Sequence, residues 1–235
     1  VALALTLLAG SALLLRSSIY LQRLDPGFVP AGVLTARVAL PTVPAADSGA
    51  STLLMIHRLV DDLAHRPGVV SASVTSQAPV GPGGTSNGLV REGLSPADPK
   101  NRVQSMLRLI TPDYFTTLHI PLRRGRVFTA ADARGAERVM IVSDTLARIL
   151  WPGQDPIGKR VLCCEGSPAN PVWKTVVGVV GTVRAGGPAQ ALEPEFYLPI
   201  DQAPTAAWNW TRNTVTLAVR GTAADPTLLV PSVRS

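Results

Sequence analysis

The chain has 235 residues, of which 46% are hydrophobic and only 16% charged. Soluble domains carry about a quarter charged residues, so this balance excludes a disordered polar chain and points to a membrane connection. The net charge of +6 comes almost entirely from arginine dispersed between Arg16 and Arg234, with lysine only at Lys100, Lys159 and Lys174. A nucleic-acid-binding face would cluster such charge and interleave aromatics, so nucleic acid is not among the expected partners.

Val1 to Leu15 reads VALALTLLAGSALLL, without a charge, and Arg16 follows. Fifteen helical residues cover about 22 Å, short of the roughly 30 Å hydrocarbon core. The chain opens on Val rather than Met, which suggests a window cut from a longer protein, with further residues completing the span. Gly10, Ser11 and Ala12 suit close packing in lipid. A signal peptide would need a basic leader and a small-x-small cleavage site; Arg16 and Tyr20 stand instead where interfacial anchors do. A buried core helix is the third reading.

Asp25-Pro26-Gly27 is a turn that takes the chain away from this helix. Val33 to Leu40 alternates as a half-buried strand, and Pro41 to Gly49 reads as a polar loop. Ser51 to Arg66 is a helix with Ile56, Leu59, Val60 and Leu63 on one stripe and Ser51 as its N-cap, ended by Pro67-Gly68. Val69 to Thr75 is the next strand. This β-α-β spacing predicts a parallel pair with a right-handed crossover.

Gln77 to Lys100, rich in glycine and proline, reads as loop with short extended pieces. Arg102 to Ile110 is a strand, and Pro112 to Leu118 a short helix capped by Thr111. Val139 to Val142 is a buried strand, and Asp144 to Trp151 a helix ended by Pro152-Gly153. Strands at Lys159 to Leu162, Trp173 to Arg184, Glu195 to Ile200 and Asn213 to Arg220 follow, and Asp225 opens a last helix. The predicted class is α+β: a small α/β unit (β-α-β plus a C-terminal strand and helix) with a mostly β insertion, preceded by a truncated transmembrane helix. Leu24 and Ser235 should lie on the same, membrane-proximal side.

Few residues suggest chemistry. Gly153 to Arg160 (GQDPIGKR) matches G-x4-G-K, but Arg160 takes the Ser/Thr position that would bind Mg²⁺, and the segment follows a helix rather than a strand. It reads as a turn into a hairpin. Glycines within Val176 to Val183 mark a bulge or a close backbone approach. His57 and His65 lie eight apart on one helix, too far to share a metal, and His119 is isolated. Asp61-Asp62 and the pair Glu193 and Glu195 lack a partner at a telling spacing. Arg123, Arg124 and Arg126 form a solvated turn or an anion contact, Asn209-Trp210-Thr211 is a formal sequon, and Cys163-Cys164 are adjacent, where a disulfide is strained. No catalytic, cofactor-binding or metal-ligating set emerges.

Several separated phrases carry a resemblance. They are LLLRS (13–17), LDPGF (24–28), VLTARVALP (33–41), RPGVVSASVTSQAPV (66–80), ITPDYFTTLHIPLRRGRVFTAAD (110–132), VMIVSDTLARILWPGQDPIGKR (139–160), WKTVVGVVGTVR (173–184) and FYLPIDQAP (196–204). Together they resemble the MacB-like periplasmic core domain of ABC-transporter permeases of the FtsX/MacB type, most narrowly the second half of duplicated orphan permeases of acidobacteria. The combination YF-x4-IPL-x-RGR-x-F, WPG-x-DPIGKR and VVGVV-x-x-VR is specific to that family. Two departures stand out: Ser143 where asparagine is more usual, and His119 where glycine is usual, which would force a side chain into a turn.

The resemblance implies a layout. Residues 1–24 would be the truncated membrane helix and its exit, 25–76 with 205–235 a porter-like subdomain, and 77–204 the inserted β-rich subdomain. It implies no enzyme activity and no cofactor. A separate cytoplasmic ATPase subunit would hydrolyse ATP, and the permease would relay the motion to the periplasm for efflux, release or signalling. The implied partners are the other half of the permease or a homodimer copy, and lipid around residues 1–21. The implied location is the bacterial inner membrane, with residues from about 25 onward outside the cytoplasm. The alternative is a membrane-anchored sensor or binding module without transport, which a single flanking helix joined to a signalling domain would favour.

Overall fold

A computed structural model describes residues 2–40, 49–81, 84–166, 170–187, 190–211 and 215–234. The predicted loop at 41–48, Asn213 and Ser235 lie outside them. Helix α1 (Ala2–Arg23) is followed by β1 (Val33–Val38), α2 (Ala50–Ala64), β2 (Val69–Thr75), β3 (Thr85–Arg91), β4 (Val103–Ile110) and α3 (Tyr114–Leu118). Then come β5 (Leu122–Gly125), β6 (Val139–Ser143), α4 (Asp144–Leu150), β7 (Arg160–Gly166) and β8 (Pro171–Val180). The chain finishes with β9 (Glu195–Pro199), α5 (Trp208–Thr211), β10 (Val215–Gly221) and α6 (Val230–Arg234). The fold is α+β. Along α1, residues 10–20 are all exposed. Among the described residues, no helix is long and apolar enough to cross a membrane.

The first three strands in space are β1, β10 and β2, all antiparallel to their neighbours. β1 and β2 therefore run the same way without pairing directly, which corrects the expected parallel pair. β10 fills the place between them, from Val33↔Arg220 to Val38↔Val215 on one side and Thr216↔Thr75 to Arg220↔Ser71 on the other. Its residues 215–220 are buried throughout, as a central strand covered on both faces requires. α2 covers one face with Leu53, Ile56 and Leu63, and α3 packs on β2 and β10. The N-cap of α2 is Gly49 rather than Ser51. Gly49 has φ 81°, its carbonyl takes the first helical hydrogen bond from Leu53, and a Cβ there would press into the Trp208 ring at 2.6 Å.

Six of the other strands form a ring, and β5 attaches to it through β8. β4 pairs with β3, β3 with β7, β7 with β8, β8 with β6, β6 with β9, and β9 returns to β4. The contacts β6–β8 and β4–β9 are parallel; the other four are antiparallel. Such closure makes a small barrel whose interior is filled by side chains. The ring meets the three-stranded ladder at one residue pair, Thr75↔Ile110. Hydrogen bonds Ser76 N–H to Leu109 O (2.9 Å) and Thr111 N–H to Val74 O (3.0 Å) reinforce this joint. β3 is a full strand inside the segment read as loop, and β5 is a strand on β8 where a turn was expected.

β6 and β9 are buried on both faces, and their alternate residues serve two cores. Met140, Val142, Phe196 and Leu198 join Leu107, Leu109, Val161 and Val176 in one. Val139, Ile141 and Tyr197 join Tyr114, Phe115 and Leu118 of α3 in the other. Phe115 meets Tyr197 edge-on at 4.9 Å and Tyr114 at 5.5 Å. Gly178 behaves as the sequence suggested: the β6–β8 register shifts beside it, and a Cβ would meet Arg126 O at 2.3 Å.

Candidate functional site

The segment between α1 and β1 is fastened to the body at several points. Asp25 Oδ1 accepts from Gly27 N–H at 2.8 Å, which sets the turn. Gly27 has φ 82°, and a Cβ would sit 2.2 Å from Thr182 O, so only glycine lets the two strands of chain approach. Arg184 N–H donates to Pro26 O at 3.0 Å, and Val29 N–H to Leu118 O at 2.9 Å. Residues 26–29 thereby touch both the chain after β8 and the end of α3.

Arg220 completes the fastening. The residue is 6% exposed, and its guanidinium spends its donors on carbonyls: Nε on Thr117 O (2.6 Å), Nη1 on Ala31 O (2.9 Å) and Nη2 on Val29 O (2.7 Å). The planar fork suits three acceptors at fixed angles. Burial lowers its pKa. Gly32 N–H donates to Ala224 O at 3.1 Å and Gly221 N–H to Gly32 O at 2.9 Å, so the segment leaving β10 lies beside the segment entering β1.

A second polar cluster lies inside the body. Arg108 on β4 is 2% exposed and Glu195 on β9 fully buried. Arg108 Nε and Nη2 reach Glu195 Oε1 at 3.0 and 2.7 Å, and Tyr197 Oη donates to Oε2 at 2.8 Å. Arg108 Nη1 also donates to Gln77 O (3.1 Å) and Ala78 O (2.6 Å). The pair thus ties the chain leaving β2 to β9. Burial outweighs the nearby Arg108 charge and raises the Tyr114 pKa, and burial with the Glu195 charge does the same for Tyr197. Tyr114 Oη has no hydrogen-bond partner. Sequence spacing could not pair Glu195 with a residue 87 positions away. The one available signal was an arginine and a glutamate, each at a position where its strand should be buried.

The residues singled out by motif fall elsewhere. Gly153 to Lys159 forms the loop between α4 and β7; Lys159 donates to Gln154 and lies over the Trp151 ring, and Arg160 sits over Trp173. His57 bonds Asp201 at 2.8 Å and His65 the Asp61 carbonyl at 2.7 Å. His119 ends α3 with φ 52°. Arg123 and Arg124 lie exposed on β5, whereas Arg126 grips Asp132 with two bonds of 2.7 and 2.8 Å. Glu193 is exposed, apart from buried Glu195. Asn209 lies on α5, and its side chain is outside the described residues. Among the described residues, no three His, Cys, Asp or Glu side chains group as metal ligands.

The fold is that of the extracytoplasmic domains of ABC-type permeases. It is similar to the periplasmic region of MacB from Actinobacillus actinomycetemcomitans, with a TM-score of 0.54 and 16% identity over 88% of this chain and 82% of that one. It is also similar to the extracellular domain of the noncanonic ABC-type transporter YknZ from Gram-positive bacteria, with a TM-score of 0.50 and 18% identity over 85% and 88%. No curated protein sequence matches the chain. The family profile of the MacB-like periplasmic core domain matches residues 26–229, and the chain belongs to that family.

Proposed function

We propose that this domain receives mechanical work from a membrane helix and delivers it outside the cytoplasm. In this reading α1 lies in the inner membrane, with exposed Leu7, Leu8, Leu13, Leu14 and Leu15 toward lipid. A separate cytoplasmic ATPase subunit drives the helix, and the body, from about residue 25, performs non-catalytic work of efflux, release or signalling. It acts beside the other half of the same permease or a homodimer partner. Residues 25–76 with 205–235 form the porter-like subdomain, and 77–204 the inserted one.

The observation that carries this reading is the grip of Arg220 on the carbonyls of Val29 and Ala31. A flexible tether would let the helix move without the body. A segment held by a buried guanidinium, by α3 and by the chain after β8 passes displacement on.

The test uses the full permease with its ATPase in nanodiscs. Spin labels go on Ser17→Cys and Ala136→Cys in a Cys163→Ser, Cys164→Ser background. The label-to-label distance should stay narrow and unchanged between nucleotide states, and broaden in Arg220→Ala. A parent distance that changes with nucleotide overturns rigid coupling.

A further inference from the structure

Cys163 and Cys164 are adjacent free thiols on β7. Consecutive side chains on a strand point to opposite faces. β7 breaks that rule. Its register against β8 shifts between Leu162 and Gly166, and Cys164 has a left-handed backbone with φ 69°. An irregularity of this kind re-aims a side chain. Both cysteines accordingly pack on the same hydrophobic cluster, Cys163 at 4% exposure and Cys164 partly buried. Both also line one open cleft of about 300 Å³, with Arg102 and Glu165.

The surroundings favour the neutral thiol at Cys164. Contact with the Cys163 thiol, then burial, pushes the Cys164 pKa up, and the Lys174 charge opposes this. Lys174 is 1% exposed, and its Nζ donates to Cys163 O (3.1 Å) and Glu165 Oε1 (3.0 Å). Lys174 is thus held beside the pair, with its charge shared with Glu165. A direct disulfide fits poorly: consecutive Cα atoms lie about 3.8 Å apart, against the roughly 4.4–6.8 Å that disulfides span. One bridging atom with two longer bonds to sulfur closes the ring without that strain.

We propose that Cys163 and Cys164 form a dithiol site for a soft, thiophilic centre, such as a monosubstituted trivalent arsenical, held by both sulfurs. Thiolates select soft centres over hard ones. With phenylarsine oxide, two S–H bonds break and two As–S bonds form. The two protons leave with the oxide oxygen as water, and no electron changes hands.

The experiment incubates the folded full chain with phenylarsine oxide and reads intact mass and cysteine alkylation. A one-to-one adduct should form, protect both cysteines from alkylation, and come off with a dithiol but not with an equal concentration of monothiol. Cys164→Ser, at the more exposed position, should bind at least tenfold more weakly. The protection measurement on the parent needs no variant. Three results would overturn the site: no adduct on the folded chain while the urea-unfolded chain takes one, undiminished binding by Cys164→Ser, or a chain isolated without reductant whose two sulfurs are already joined.

Discussion

Arg108 on β4 reaches diagonally to Glu195 on the parallel strand β9, two positions from its register partner Tyr197, with two guanidinium nitrogens converging on the single oxygen Oε1. Neither side chain reaches water, so each is the other's solvent. Breaking such a pair from one side costs about 3–5 kcal/mol, because the remaining charge stays buried. Glu195→Gln should therefore lower the unfolding free energy by about that much in a urea titration. The double variant Arg108→Met, Glu195→Leu should recover only part of the loss, because the Gln77 and Ala78 carbonyls and the Tyr197 hydroxyl lose their partners. Tyr114→Phe should cost almost nothing, since the hydroxyl it removes has no partner. An undiminished stability in Glu195→Gln would show that the pair is not the buried joint described.

His119 supplies a prediction of the opposite sign. It closes α3 in the left-handed region, φ 52° and ψ 41°, with its N–H on Phe115 O and Thr116 O. A side chain there costs about 1–2 kcal/mol, part of which glycine returns as extra freedom in the unfolded chain. His119→Gly should gain about 0.5–1 kcal/mol, a rise of a few degrees in melting temperature. A drop would mean that the exposed imidazole has a contact of its own.

Ser143 has two tasks at one oxygen. Its Oγ accepts from Leu146 N–H at 3.3 Å as the N-cap of α4 and from Glu195 N–H at 3.0 Å. Ser143→Ala removes a cap and leaves a buried amide without an acceptor. The expected loss is about 2–4 kcal/mol, read as an earlier denaturant midpoint with an unchanged slope.

Asp132 gives the pH dependence. The Arg126 hydrogen bonds hold its pKa below the ordinary value. A carboxyl with a lowered folded-state pKa adds stability above its unfolded pKa of about 3.9, and that stability fades as pH falls through the folded value. Melting temperature should fall more steeply below pH 4 in the parent than in Asp132→Asn. Equal slopes would exclude Asp132 as a contributor to acid unfolding.

The sequence carried the elements that depend on neighbours along the chain. The stripe of α2, the Asp144 helix, the hairpin after Lys159 and the bulge at Gly178 each follow from local spacing. What it could not show depends on distant residues. β10 separates β1 and β2, β3 hides in a glycine-rich stretch because ladder bonds rather than propensity hold it, and Arg108 finds Glu195 only through ring closure. At the junction, the Asp25-Pro26-Gly27 turn was readable, but Arg220 looked like one more dispersed surface charge. Its role depends on three carbonyls that only the fold brings together.

The place of β10 also governs the order in which the molecule can be completed. β1 and β2 are made early, yet their shared neighbour is missing until Val215–Gly221 emerges, and β2 has only its one pair with β4 before then. Until then the apolar face of α2 has only half a surface to lie on, while the ring, whose strands all fall between Thr85 and Pro199, already has its full set. Pairings so far apart in sequence are slow to form. The body should assemble from its middle outward, and the last strand to arrive also carries Arg220, so the three carbonyl bonds that complete the fastening after α1 should form late.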